Sequence, residues 1–131
     1  MRLYVDSSAL VKLVQRESES SALQKYIRRH RADRLTVAAL ARVEVVRAVA
    51  TAGGAAVAKA RRQLARCELI VLDRSLLDRA ATIAPGQLRS LDAIHLAAAS
   101  ALGADLRALV AYDERLLAAA DSLGLPTARP D

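Results

Sequence analysis

Short apolar runs alternate with helical stretches along the whole chain, and this alternation limits the fold more than any other feature. Residues 2–5, 35–37, 68–72 and 108–112 are aliphatic or β-branched runs of strand length. Of these, 68–72 (Glu-Leu-Ile-Val-Leu) is the clearest strand. Between them, apolar residues recur at helical spacing over 7–15, about 17–31, 39–52, 55–66, 74–84, 90–102 and 113–123. Gly53-Gly54, Pro85-Gly86, Gly103 and Gly124 stop helices, and the tail after Gly124 has room for a short edge strand. Strands that alternate with helices build a parallel sheet covered on both faces. The expectation is therefore an α/β fold in a single domain spanning residues 1–131.

Composition narrows the partners. Hydrophobic residues make up 53% of the chain, but aromatics only 2%, with no Trp and no Phe. The core must be aliphatic and alanine-rich, and base stacking on aromatic rings is a weak binding mode for such a surface. The net charge of +6 favours a polyanion, and the excess is mostly Arg, the better fork for phosphate. Cys67 is the only cysteine, which rules out an internal disulfide and fits a reducing, cytoplasmic setting. It reads as a packed residue rather than a reactive thiol. No apolar run reaches membrane-spanning length, and the start reads as a strand rather than a signal peptide.

Three aspartates share one local pattern, strand–Asp–helix: Asp6, Asp73 and Asp113. Any one of them alone reads as a helix N-cap. Asp73 is the most cap-like, whereas Ser7 and Ser8 could cap the first helix without Asp6. All three fall at the carboxyl edge of the sheet, where chemistry collects in open α/β folds. The residue pattern leaves the strand order open, and with it which of them are neighbours. Two further acids lie on apolar helices. Glu44 has Arg42 and Arg47 as possible partners, and Asp92 lies in the first turn of a helix with Ser90 as its expected cap. His95, on the same face as Asp92, reads as a packed residue behind the acids rather than a metal ligand.

Clustered acids on apolar elements need a cation. Two like charges at ~4 Å cost roughly 4 kcal/mol at an effective dielectric near 20. Oxygen ligands alone suit Mg²⁺ or Mn²⁺, and no Cys/His spacing suits zinc. In a basic protein such a site points to phosphodiester chemistry.

The segments Asp6-Ser-Ser-Ala-Leu-Val, Glu44 in its apolar helix, Leu-Asp92-Ala-Ile-His-Leu-Ala-Ala-Ala and Tyr-Asp113-Glu-Arg-Leu resemble the PIN-domain ribonucleases, and more narrowly the VapC-type toxins of VapBC toxin–antitoxin pairs. The likeness spans essentially the whole chain. It implies a parallel five-stranded sheet flanked by helices on both faces, with the first and fourth strands adjacent at its centre. Asp6 and Asp113 then become neighbours, and Asp73 is left on an outer strand as a cap. It also implies a Mg²⁺-dependent endoribonuclease (Mn²⁺ substituting) whose catalytic acids are Asp6, Glu44, Asp92 and Asp113. Asp6, Asp92 and Asp113 would contact the metal, and Ser7 would assist from behind. Arg42, Arg47 and Arg89 are candidate RNA-backbone contacts. A VapB-type antitoxin, an RNA substrate, a homodimer, and operator DNA reached only through the antitoxin are implied partners; no membrane is. One departure stands out: many relatives carry Ser or Thr two residues before the last acid, where this chain has Ala111.

Other readings fit less well. An aspartyl-phosphate phosphatase wants a second Asp where Ser8 stands, and a receiver domain wants paired acids that are missing. A dinucleotide fold wants a glycine-rich turn after the first strand. The remaining alternative is a catalytically silent PIN-like module that binds RNA or a partner, whose mark would be lost acids. All four acids are present.

Overall fold

The computed structural model describes residues 1–131. In chain order the elements are β1 (Arg2–Val5), α1 (Ser7–Val14), α2 (Ser20–Arg29), β2 (Arg34–Ala38), α3 (Ala41–Val49), α4 (Gly54–Ala65), β3 (Glu68–Ile70), α5 (Arg74–Thr82), α6 (Ser90–Ala101), β4 (Leu106–Val110), α7 (Glu114–Ser122) and β5 (Thr127–Ala128). Short 3-10 turns follow α3 and α6. The five strands form one sheet in the order β3-β2-β1-β4-β5, and every pairing is parallel. The first and fourth strands are adjacent at the centre, as the family resemblance implies.

The pleat sorts side chains to two faces. Leu3, Val5, Val37, Ala108 and Val110 point to one side and pack with residues of α1, α2, α3 and α4. Tyr4, Ala38, Leu109 and Ala111 point to the other and pack with α5, α6 and α7. Helices therefore cover both faces. On the second face the core is alanine-rich, with Ala97, Ala98 and Ala99 of α6 buried against the sheet. Tyr4 is the largest fully buried side chain of the protein.

Two local expectations need correction. The run 68–72 yields a strand of only three residues at the sheet edge, with Val71 71% exposed. β3 pairs with β2 alone, and the run leaves the sheet after Ile70, with Leu72 still packed on the core. Ser90 does not cap α6; it is the first helical residue, and Arg89 occupies the cap position without a side-chain bond. By contrast, the Gly53 stop holds. Its φ of 99° with ψ of 179° is a conformation reserved for glycine, and it separates α3 from α4.

The two rims of the sheet differ in charge chemistry. At the amino rim, acids and arginines at and beside the strand starts pair, two of the pairs reaching past an intervening strand: Arg2 with Glu68 at 2.8 Å and with Asp105, Arg34 with Glu68 at 3.4 Å, and Arg107 with Asp33. At the carboxyl rim Arg129 pairs with Glu114 at 3.2 Å, but Asp6, Glu44, Asp92 and Asp113 have no Lys or Arg partner.

Candidate active site

Three strands lead into an aspartate: β1 into Asp6, β3 into Asp73 and β4 into Asp113. The backbone N–H of Asp6 donates to the Val110 carbonyl, which fastens the end of β1 to the end of β4. Asp6 is the N-cap of α1 and accepts from Ala9 N–H at 3.0 Å. The expectation that the serines would free it from capping is therefore wrong. Ser8 instead donates to the same Asp6 oxygen at 2.7 Å and accepts from Tyr112 N–H at 3.2 Å, a second tie between the two strand ends. Asp113 caps α7, accepting from Arg115 N–H and Leu116 N–H. Asp73 caps α5 through Leu76 N–H, and it follows the edge strand β3, apart from the centre.

All three aspartates are thus caps, and burial separates them. Asp6 is only 4% exposed, whereas Asp73 is exposed. Burial pushes the Asp6 carboxyl above the usual carboxylate range, and the charge of Asp113 adds to this. The hydrogen bonds from Ser8 and Ala9 oppose it. Asp92, in the first turn of α6, is raised too, first by burial and then by Asp113 and Glu44, with Arg89 opposing. Asp113 therefore acts on both Asp6 and Asp92.

Glu44 projects from the first turn of α3. Its partners are neither Arg42 nor Arg47. His95 Nε2 lies 2.7 Å from Glu44 Oε1, and Ser7 Oγ donates to the same oxygen at 2.6 Å. Burial pushes this carboxyl up, but the bonds from His95 and Ser7 outweigh burial, and the net shift is downward. His95 is 3% exposed and also meets Tyr4 Oη through Nδ1 at 2.7 Å. Sequence reasoning placed His95 as a packed residue but missed its bond to Glu44, and it gave Tyr4 and Ser8 no role at the site. The spacing between positions 44 and 95 carries no signal of contact; only the strand order brings α3 and α6 together.

None of Asp6, Glu44, Asp92 or Asp113 forms an ion pair with Lys or Arg, although the chain holds 20 such residues. No three His, Cys, Asp or Glu side chains gather into a ready-made metal cage. Instead, Asp6 and Asp113 lend an oxygen to their own helices, and Glu44 lends one to His95 and Ser7. The donor set nonetheless fits a hard cation: carboxylates and hydroxyls only, two of the acids raised by burial and by a like charge. Arg42, Arg47 and Arg89 are exposed. Arg89 is near enough to Asp92 to lower its pKa, and with Arg115 it lines a cleft of about 590 Å³ beside α7. Arg115 is a cation that the sequence reading did not single out. Cys67 is half-buried, its thiol pushed up by burial to about 11, and it stands apart from these acids on the outer side of the sheet.

A model of the PIN domain matches residues 3–122. The chain belongs to the PIN-domain family. Among curated proteins, this PIN domain is 48% identical over 129 residues to Ribonuclease VapC46 of Mycobacterium tuberculosis, covering 98% of this chain and 97% of the relative. It is 38% identical over 131 residues to Ribonuclease VapC47 of the same species, covering 98% and 96%. These relatives place it in the VapC branch of the family. Its fold matches the crystal structure of Mycobacterium tuberculosis VapC20, described as a Sarcin-Ricin loop cleaving toxin, with a TM-score of 0.73 at 18% identity over 98% of this PIN domain and 99% of that chain. No helix of this PIN domain is long and apolar enough to cross a membrane.

Proposed function

We propose that this PIN domain is a Mg²⁺-dependent endoribonuclease and the toxin of a type II toxin–antitoxin pair. One observation carries the reading. Four carboxylates stand at the carboxyl rim of the sheet with no Lys or Arg paired to them, and Asp113 raises both Asp6 and Asp92. Such an arrangement is relieved by a cation. Asp6, Asp92 and Asp113 would hold Mg²⁺, or Mn²⁺ in its place. When bound, the ion lowers the pKa of a water and neutralises phosphate charge. The protein's own residues do the rest. Glu44, kept ionised by Ser7 and His95, accepts a proton from the attacking water through its second oxygen. Arg42, Arg47, Arg89 and Arg115 hold the RNA backbone beside the acids.

The relatives' names support RNA as substrate and a VapB-type antitoxin as partner. A homodimer, contact with operator DNA through the antitoxin alone, and a cytoplasmic setting complete the proposal. Purified protein free of antitoxin should cleave RNA in Mg²⁺ and lose that activity in EDTA. Asp6→Asn and Asp92→Asn should each lower the rate roughly 100-fold or more. Cleavage by either variant at the wild-type rate would sink the assignment of these acids, and no cleavage by the wild type would favour a silent binding module.

A further inference from the structure

Tyr4 is fully buried, and its hydroxyl has two polar neighbours. Ala38 N–H donates to Tyr4 Oη at 3.2 Å, and His95 Nδ1 lies 2.7 Å away. The hydroxyl carries one proton, and an N–H cannot accept it. It therefore goes to Nδ1, which must be unprotonated. The proton of the neutral ring then sits on Nε2, and it points at Glu44 Oε1 across 2.7 Å. The other tautomer would set a nitrogen lone pair against a carboxylate oxygen and leave the tyrosine proton without an acceptor in the core. A doubly protonated ring would strand that proton as well. The hydrogen bonds fix one tautomer.

The line crosses the protein. Ala38 ends β2, Tyr4 is on β1, His95 comes from the α5–α7 layer, and Glu44 comes from the α1–α4 layer. At its end, Glu44 Oε1 receives both the His95 N–H and the Ser7 O–H, while Oε2 receives no hydrogen bond from the protein. A half-buried glutamate has three side-chain torsions to settle, and this pair of bonds settles them.

We propose that Tyr4 and His95 are positioning residues for Glu44: a Tyr4–His95–Glu44 line that occupies one carboxylate oxygen and leaves the other free to meet the reacting water. This rests on the reading of Glu44 as part of a nuclease site. Neither Tyr4 nor His95 touches the reacting atoms. Their effect is on the turnover step, because an unfixed Glu44 spends less time in the productive geometry.

The test compares His95→Leu, His95→Gln and Tyr4→Phe in antitoxin-free protein at saturating Mg²⁺. His95→Leu removes the donor to Glu44. His95→Gln returns an N–H near the Nε2 position. Tyr4→Phe keeps the packing but removes the hydroxyl that orients the ring. His95→Leu and Tyr4→Phe should lower kcat about 10-fold with KM for RNA little changed, and His95→Gln should recover most of the loss. Nitrogen-15 spectra of the imidazole in the wild type should show Nδ1 unprotonated and Nε2 protonated, and in Tyr4→Phe a mixture. A wild-type kcat in His95→Leu overturns the proposal, as does an equal loss in His95→Gln or a wild-type ring protonated on Nδ1. The imidazole spectra decide the line even for a protein that cuts no RNA. A wild type that fails to cleave, or an Asp6→Asn that cleaves normally, overturns the nuclease reading instead.

Discussion

Asp6 and Asp73 accept the same kind of bond from the third residue of the following turn, at 3.0 Å and 2.8 Å, and differ in their access to water. Ionising a buried carboxylate is costly, and Asp6 is raised for that reason first. The sign of its linkage follows. Below the ordinary carboxylate pKa it is protonated in both folded and unfolded chains, and no penalty arises. As pH rises past that value the unfolded chain loses its proton first, so stability falls until the folded Asp6 ionises as well. Asp6→Asn removes the penalty and keeps the cap, since Asn caps as well as Asp. The variant should be more stable than wild type by about 1 kcal/mol at pH 7, with the gain shrinking towards pH 3.5, in metal-free thermal melts. Glu44 runs the opposite way: its lowered pKa adds stability at neutral pH that is lost as pH falls. A shared strand–Asp–helix pattern conceals this contrast in the sequence. Burial depends on what packs over each acid, and the local sequence around positions 6 and 73 carries no measure of it.

The helices and strands themselves were largely readable, because apolar periodicity survives in an aliphatic chain and glycines mark the ends. The errors came where an element's fate depends on a neighbour. Glu68–Ile70 has a strand's composition and an edge strand's length, since only β2 pairs with it. Helix α6 starts without the serine cap that its sequence suggested. Its alanine face packs instead on the sheet, and tertiary burial holds the helix in place of a cap. For α5, whose cap is real, Asp73→Ala should cost about 1 kcal/mol of unfolding free energy and leave any RNA cleavage at the wild-type rate. A loss of cleavage in a folded Asp73→Ala protein would mean that the wrong aspartate had been left out of the site.

For the molecule as a whole, the strand order decides everything about the site, and no local pattern contains it. It came from the family resemblance, and the sheet order β3-β2-β1-β4-β5 agrees. The net charge of +6 was legible at once, but its arrangement was not. The amino-rim arginines Arg2, Arg34 and Arg107 are consumed in ion pairs, whereas Arg42, Arg47 and Arg89 form none. RNA affinity of a metal-site variant such as Asp6→Asn should fall steeply with salt. Replacing Arg42 or Arg47 by Ala should reduce the slope of log K against log salt by about 0.7 to 1 each. An unchanged slope would place the RNA elsewhere on the surface.

The pairing of β1 with β4 also has a consequence in time. Leu3 lies opposite Ala108, so the first strand of this domain to be synthesised waits for one of its last. Asp6 and Glu44 are synthesised early, yet Asp6 has no Val110 carbonyl to fasten it, and no Asp113 beside it, until that late strand slides into the middle of the sheet. Domains tend to fold as units during synthesis. A nascent chain of this design therefore gains its four-acid rim in one late step, and a toxin that cuts RNA would stay harmless to its own message and ribosome for most of the time it is being made.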